Sequence, residues 1–407
     1  MKELKESRYN YLTPLTPFNS QQKPSPHNKC LNSLTPNSLK TKTLIIAIFT
    51  VLTAGAQSPR YLGGDLSLLP SYEKQGTVYR DYEGKAVKPL PFLKQQGWDA
   101  IRVRLFVEPE HAPQAHKDEG VSQDLSYVLP LAKRIQKAGM SVMLDFHYSD
   151  YWADPGKQTI PHLWQNSRRD DLPDSVYQYT RRTLQAMKRQ GVVPEMIQVG
   201  NEITNGMLWP EGKIAWGKDN EQQSWDYLCR LLTAGCRACR EVCPRAKIII
   251  HTEKTGDWEC TKTYYQQLRR HQVDYDIIGL SYYPMWHGTI PNLGQNLDRL
   301  QWLFPEKEVM IVETAAYYSH ENDRWAKADS YAEFYPISRE GQEQFTRELV
   351  SELRRHWNVR GLFWWYPEEN ACGNTLMPCW INRGLFDNKT GNALPAMKAF
   401  NLFKTKQ

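Results

Sequence analysis

Eight short apolar runs recur along the chain from Tyr61 onward, and their spacing constrains the fold more than any single motif. They lie near residues 61–66, 100–106, 141–146, 195–199, 247–250, 277–281, 309–312 and 361–365. Between them apolar residues recur at helical spacing, for example over 125–137, 175–190, 224–243 and 341–357. Continuous apolar runs separated by helices are the sequence form of parallel strands joined by helical crossovers. Eight strands alternating with helices over roughly 340 residues match a (β/α)8 TIM barrel. An open doubly wound sheet is the alternative, but no glycine-rich phosphate loop follows the first strand. No low-complexity linker divides residues 57–407, which are expected to form one domain.

In such a barrel the chemistry sits at the C-terminal ends of the strands. Those ends are polar or aromatic here. The first carries Asp65, and the second carries Arg102 and Arg104, alternate residues that point the same way. The third runs Asp145-Phe146-His147-Tyr148-Ser149-Asp150 and then Trp152. The fourth gives Val199-Gly200-Asn201-Glu202-Ile203, and the fifth ends near His251. The sixth gives Ser281-Tyr282-Tyr283 and then Trp286-His287, the seventh Glu313, the eighth Trp364-Trp365-Tyr366. Two buried strands each ending in a glutamate, Glu202 and Glu313, suggest facing carboxylates. That pair is the equipment of glycoside hydrolysis, in which one carboxyl gives and takes a proton while the other attacks the anomeric carbon. The 14 Trp and 22 Tyr serve a core or a cleft of flat rings that pack on sugar faces.

The region before the barrel reads differently. Residues 1 to 40 are rich in Pro, Ser, Asn, Thr and Lys without apolar period and are expected to be disordered. Lys40-Thr41-Lys42, an apolar run over 44–52 and Ala54-Gly55-Ala56 follow the basic, apolar and small-residue order of a secretory signal peptide. Residues 1–56 are therefore read as an extension plus signal, with cleavage after Ala56 and a secreted or periplasmic product. The apolar run is too short to span a bilayer. The formal charge of +6 comes largely from this tail and does not point to nucleic acid. Cys229, Cys236, Cys239 and Cys243 share one helical stretch and read as small buried thiols rather than a metal cluster. Cys372 and Cys379 fall in a loop where they could bridge.

The segments LDFHYSDYWADP, VGNEI, LSYYPMWHG and VET resemble glycoside hydrolase family 53, the endo-β-1,4-galactanases, over almost all of the chain after the tail. The resemblance implies a secreted, retaining endo-galactanase acting on the β-1,4-galactan of type I arabinogalactan and pectin. By motif position Glu202 is the implied acid/base and Glu313 the nucleophile. Asn201 is expected to bond the sugar 2-hydroxyl, and Arg104 to keep the nucleophile ionised. His147, Tyr282 and His287 are candidates to orient the nucleophile or the sugar before the cut. Trp365 is the expected platform under that sugar, with Trp152 and Trp286 stacking on other rings. Asp65 and Asp150 are candidates for hydroxyl contacts, with local hydrogen bonding the alternative. The family's Trp-Glu-Pro on the eighth strand is replaced by Trp365-Tyr366-Pro367. The loop 319–324 lacks the dense carboxylates of a calcium loop; no cofactor and no metal ligand are expected, with calcium left open. The partner is a polysaccharide, with no nucleic acid, no membrane after signal cleavage and no second subunit required. A relative cutting mannan, xylan or cellulose, or a non-catalytic glycan-binding barrel, is the competing reading.

Overall fold

A computed structural model describes residues 59–321, 331, 333–370, 375–378 and 380–404. The proposed signal segment, Cys372, Cys379 and residues 322–324 of the candidate calcium loop lie outside these. Eight parallel strands close into a barrel: β1 (Tyr61–Asp65), β2 (Ala100–Leu105), β3 (Ser141–Phe146), β4 (Met196–Val199), β5 (Lys247–Thr252), β6 (Ile277–Tyr282), β7 (Glu308–Thr314) and β8 (Val359–Trp365). β1 pairs with both β2 and β8, which closes the ring. One helix of the outer layer follows each strand: α1 (Pro89–Gln95), α2 (Leu125–Lys137), α3 (Leu172–Arg189), α4 (Glu221–Val242), α5 (Trp258–Arg270), α6 (Ile290–Leu303), α7 (Arg339–Arg355) and α8 (Pro395–Asn401).

Local chemistry starts these helices where the barrel needs them. Asp124, Asp257 and Ser338 cap α2, α5 and α7, each side chain accepting a backbone N–H of the first turn, which satisfies a donor with no partner inside the helix. Cys229, Cys236 and Cys239 of α4, and Cys243 just beyond its end, are buried in the layer between helix and strands. Burial pushes the Cys229 and Cys236 thiols up to about 12, so they pack as apolar groups.

Inside the barrel, side chains alternate. Ala100, Met143, Met196, Ile249, Ile277, Met310, Val312 and Phe363 form a separate apolar plug. Two residues further along the strands the interior turns polar, with Arg102, Asp145, Gln198, His251 and Trp365 on the same parity. β7 breaks that parity. Leu280 pairs with Ile311 but Ser281 pairs with Glu313, and the β8 register also shifts between Ile311 and Thr314. Val312 is thus the extra residue of a bulge, a device that re-aims a side chain. It brings Glu313 onto the interior face that Val312 already occupies.

Candidate active site

The polar tier above the plug is organised by Arg102. Its guanidinium reaches Asp65 Oδ2 at 3.0 Å, Asp145 Oδ2 at 2.8 Å and Glu313 Oε1 at 2.9 Å. It also donates to Asn201 Oδ1 at 2.8 Å. Tyr283 donates its hydroxyl to Glu313 Oε2 at 2.8 Å. Glu313 therefore has a cation on one oxygen and a hydroxyl donor on the other. Burial raises its pKa, while Arg102 and then Tyr283 oppose that rise.

Glu202 stands on different ground. β4 ends at Val199, Gly200 takes φ 85°, and Glu202 itself adopts φ 47°, the left-handed region. A Cβ on Gly200 would lie 2.9 Å from Ile203 Cγ2, so the turn needs that glycine. Non-glycine residues in this conformation cluster at functional sites when their surroundings hold them. Here β5 does the holding. Glu253 Oε2 accepts the Thr204 hydroxyl at 2.6 Å, and His251 Nδ1 lies 2.9 Å from Asn201 Oδ1. Among the described residues the Glu202 carboxyl has one hydrogen-bond partner, the neutral Ser281 hydroxyl, which donates at 2.7 Å and in turn lies 2.8 Å from His251 Nε2. Burial, then the charges of Glu313 and Glu253, push the Glu202 pKa well above the carboxylate range. Each of the two carboxyls is thus within electrostatic reach of the other, and Glu202 is the harder to ionise.

The other expected site residues divide into two groups. Trp365 faces the interior, 6.1 Å from Trp152 and 4.4 Å from Trp380 between ring centroids. Trp286, 58% exposed, extends this wall through Trp380 and Tyr283. Arg104 lies over Trp152 at 4.4 Å and pairs with Asp65. The cation on Glu313 is therefore Arg102, two residues earlier, and the place expected for Arg104 is corrected. Tyr282 is not in the site: β6 alternation turns it outward, where it packs on Phe345 of α7 and donates to the Gly288 carbonyl. Tyr283, the next residue, is the one that reaches Glu313.

Four more candidates face inward to protein rather than outward to sugar. Asp65 accepts from Ser67, Arg102 and Arg104. Asp150 accepts backbone N–H groups of Glu108 and His162 on its two oxygens. His147 Nδ1 accepts the Ala153 N–H and Nε2 faces Asp145 at 3.1 Å, so it fixes the loop that carries Trp152. His287 Nδ1 accepts the Tyr283 N–H at 3.0 Å, and burial followed by the Lys254 charge pushes its pKa down to about 3. It holds the turn behind Tyr283 as a neutral ring. Asp145 and Ser281, noted in sequence as strand ends without a role, also join the site, and so do Gln198 and Trp380, which the sequence reading missed.

A closed (β/α)8 barrel with a half-buried carboxyl after β4 and a buried one on β7, under a wall of tryptophans, has the parts of a glycoside hydrolase. A profile of glycosyl hydrolase family 53 matches residues 61–400. Arabinogalactan endo-β-1,4-galactanase A of Emericella nidulans is 32% identical over 368 residues, 87% of this chain and 96% of that protein. Endo-β-1,4-galactanase of Bacillus subtilis is 31% identical over 328 residues, 79% of this chain and 72% of that one. The family 53 catalytic domain of Ignisphaera aggregans superposes with a TM-score of 0.76 at 30% identity, covering 86% of this chain and 98% of that domain. The chain belongs to glycosyl hydrolase family 53.

Proposed function

We propose that this protein is a retaining endo-β-1,4-galactanase that cuts the β-1,4-galactan chains of type I arabinogalactan and pectin, with Glu313 as nucleophile and Glu202 as acid/base. The Emericella nidulans and Bacillus subtilis relatives carry galactanase names, and family membership supports a polysaccharide substrate. The observation that carries the two roles is the difference between the partners of the two carboxyls. Glu313 has the Arg102 guanidinium on Oε1 and the Tyr283 hydroxyl on Oε2, donors that favour the ionised form a nucleophile needs. Glu202 receives the Ser281 hydroxyl alone among the described side chains, and burial, then the charges of Glu313 and Glu253, push its pKa well above the carboxylate range, so it keeps the proton a general acid must deliver.

With the proton so placed, Glu202 protonates the glycosidic oxygen as Glu313 attacks C1. Glu202, now ionised, then draws a proton from the water that releases the glycosyl intermediate. Arg102 and Tyr283 orient Glu313 for attack. Asn201 Nδ2 gives one proton to the Ala153 carbonyl at 2.9 Å and its second to the 2-hydroxyl, a contact that tightens in the transition state. Trp365 lies beneath the sugar before the cut, with Trp152 and Trp286 beneath others. Glu202 and Glu313 supply the chemistry without a cofactor. The described residues contain no helix long and apolar enough to cross a membrane. Export follows from the signal-like segment before residue 57. The test is linear β-1,4-galactan digested with purified protein and followed by proton NMR. Galacto-oligosaccharides released first as the β-anomer support the proposal. First-formed α-anomer rules out retention, and intact galactan beside cleaved mannan or xylan rules out the substrate.

A further inference from the structure

Away from the catalytic floor, the loops after β2 and β3 bring Glu108, His111 and His162 together, with one donor atom from each lying within 4.8 Å of the others. Glu108 Oε2 is 3.2 Å from His162 Nδ1 and 3.9 Å from His111 Nε2. Two tetrahedral zinc bonds of 2.0–2.1 Å hold their donor atoms about 3.3 Å apart, so the carboxylate is already near that spacing from both imidazoles. The two rings are stacked, 3.7 Å between centroids and 19° between planes. A ring nitrogen's lone pair lies in its own plane, so coordination turns one ring out of the stack. Both histidines are exposed, and such a rotation meets little packing.

The anchoring of the set sets it apart from a chance surface cluster. Asp150, 4% exposed, accepts the Glu108 N–H at 2.9 Å and the His162 N–H at 2.7 Å. One buried carboxylate thus fixes the backbone of two of the three donors, on two different loops, relative to each other. Supports of this kind behind the ligands are what hold metal sites in shape. Two imidazoles and one carboxylate suit Zn2+ and its neighbours, whereas Ca2+ and Mg2+ prefer sets made of oxygen.

We propose that Glu108, His111 and His162 bind one zinc-class divalent cation, which staples the β2–α2 loop to the β3–α3 loop at the rim of the cleft. The stapled arm continues from Asp150 through Tyr151 to Trp152, the ring over Arg104, so the ion restrains one wall of the sugar groove. The test uses untagged protein stripped with chelator, titrated with ZnCl2 by calorimetry and melted with and without the metal. The proposal expects one equivalent bound and a Tm that rises by a few degrees with saturation. His111→Ala and His162→Ala should each weaken zinc binding at least tenfold while leaving the metal-free Tm unchanged. Absence of saturable binding in the unmodified protein, or unaltered binding and Tm rise in the double variant, would overturn it.

Discussion

The two glutamates owe their proposed roles to their neighbours. Glu313 is held by a guanidinium and a phenol, Glu202 by a serine. Replacing Glu313 by Ala should lower the rate by on the order of 10⁴ or more, with circular dichroism and oligosaccharide binding retained; surviving activity would move the nucleophile elsewhere. Arg102 carries a second expectation. Its removal leaves Asp65, Asp145 and Glu313 without their common cation in a buried site, and breaking buried pairs in this way costs about 3–5 kcal/mol. Arg102→Met should show that loss in urea unfolding. It should also move the acid limb of the kcat/KM profile to higher pH, since Glu313 would hold its proton more tightly without the guanidinium.

Burial of Glu202 also has a sign that can be checked through stability. Its folded pKa is raised above the unfolded value near 4.5. Between those two values the folded state binds more protons than the unfolded, so this group's contribution to stability falls as pH rises. Below about pH 4.5 both states are protonated and the group is neutral to folding. Glu202→Gln, which cannot ionise, should melt a few degrees higher than the parent at pH 8, and the gap should close near pH 4. Equal melting curves at pH 8 would mean that Glu202 is not desolvated as described.

At the scale of elements, β5 braces the turn that carries Glu202. His251→Ala removes the imidazole that lies 2.8 Å from Ser281 Oγ and leaves Ser281, which already donates to Glu202, with that carboxylate as its one partner. The alkaline limb of the profile should fall by about half to one pH unit, beside a drop in kcat. Glu253→Gln removes a nearby negative charge and should move the same limb in the same direction. A role confined to packing would lower kcat and leave the limb in place. The strand ends themselves were legible, because eight apolar runs each stopped at polar or aromatic residues and a parallel barrel puts its chemistry there. Which neighbour faces inward was harder. Arg102 and Arg104 share a parity, and only their height in the barrel decides which reaches Glu313. Tyr282 and Tyr283 differ in parity, and the small residues Gly279 and Ser281, in line with Ile277, were the signal that Tyr283 points inward. The bulge at Val312 left no mark in sequence, since it exists only relative to the register of β6 and β8. Asp65, Asp150 and His147 looked free to bind sugar because their protein partners lie on other loops or strands, or on local backbone groups.

The barrel is also a statement about where the chain can be cut. β1 is the first strand in sequence, yet it pairs over its length with β8, the last, and with β2. It supplies Asp65 to Arg102 and Arg104 as well, so closure of the ring and assembly of the polar tier depend on the same five residues, Tyr61–Asp65. A chain starting at Gln57 keeps all of these and should match the full-length protein in Tm and in kcat/KM on galactan. If residues 1–56 are a signal, it should also be the species found by N-terminal sequencing of exported material. A chain starting at Ser67 loses β1, leaves β2 and β8 as open edges that invite association with other chains, and strands Arg102 with one carboxylate fewer. That shorter chain is expected to aggregate or to melt without cooperativity, measured by light scattering and calorimetry. A soluble, active product from it would mean that β1 does not close the barrel.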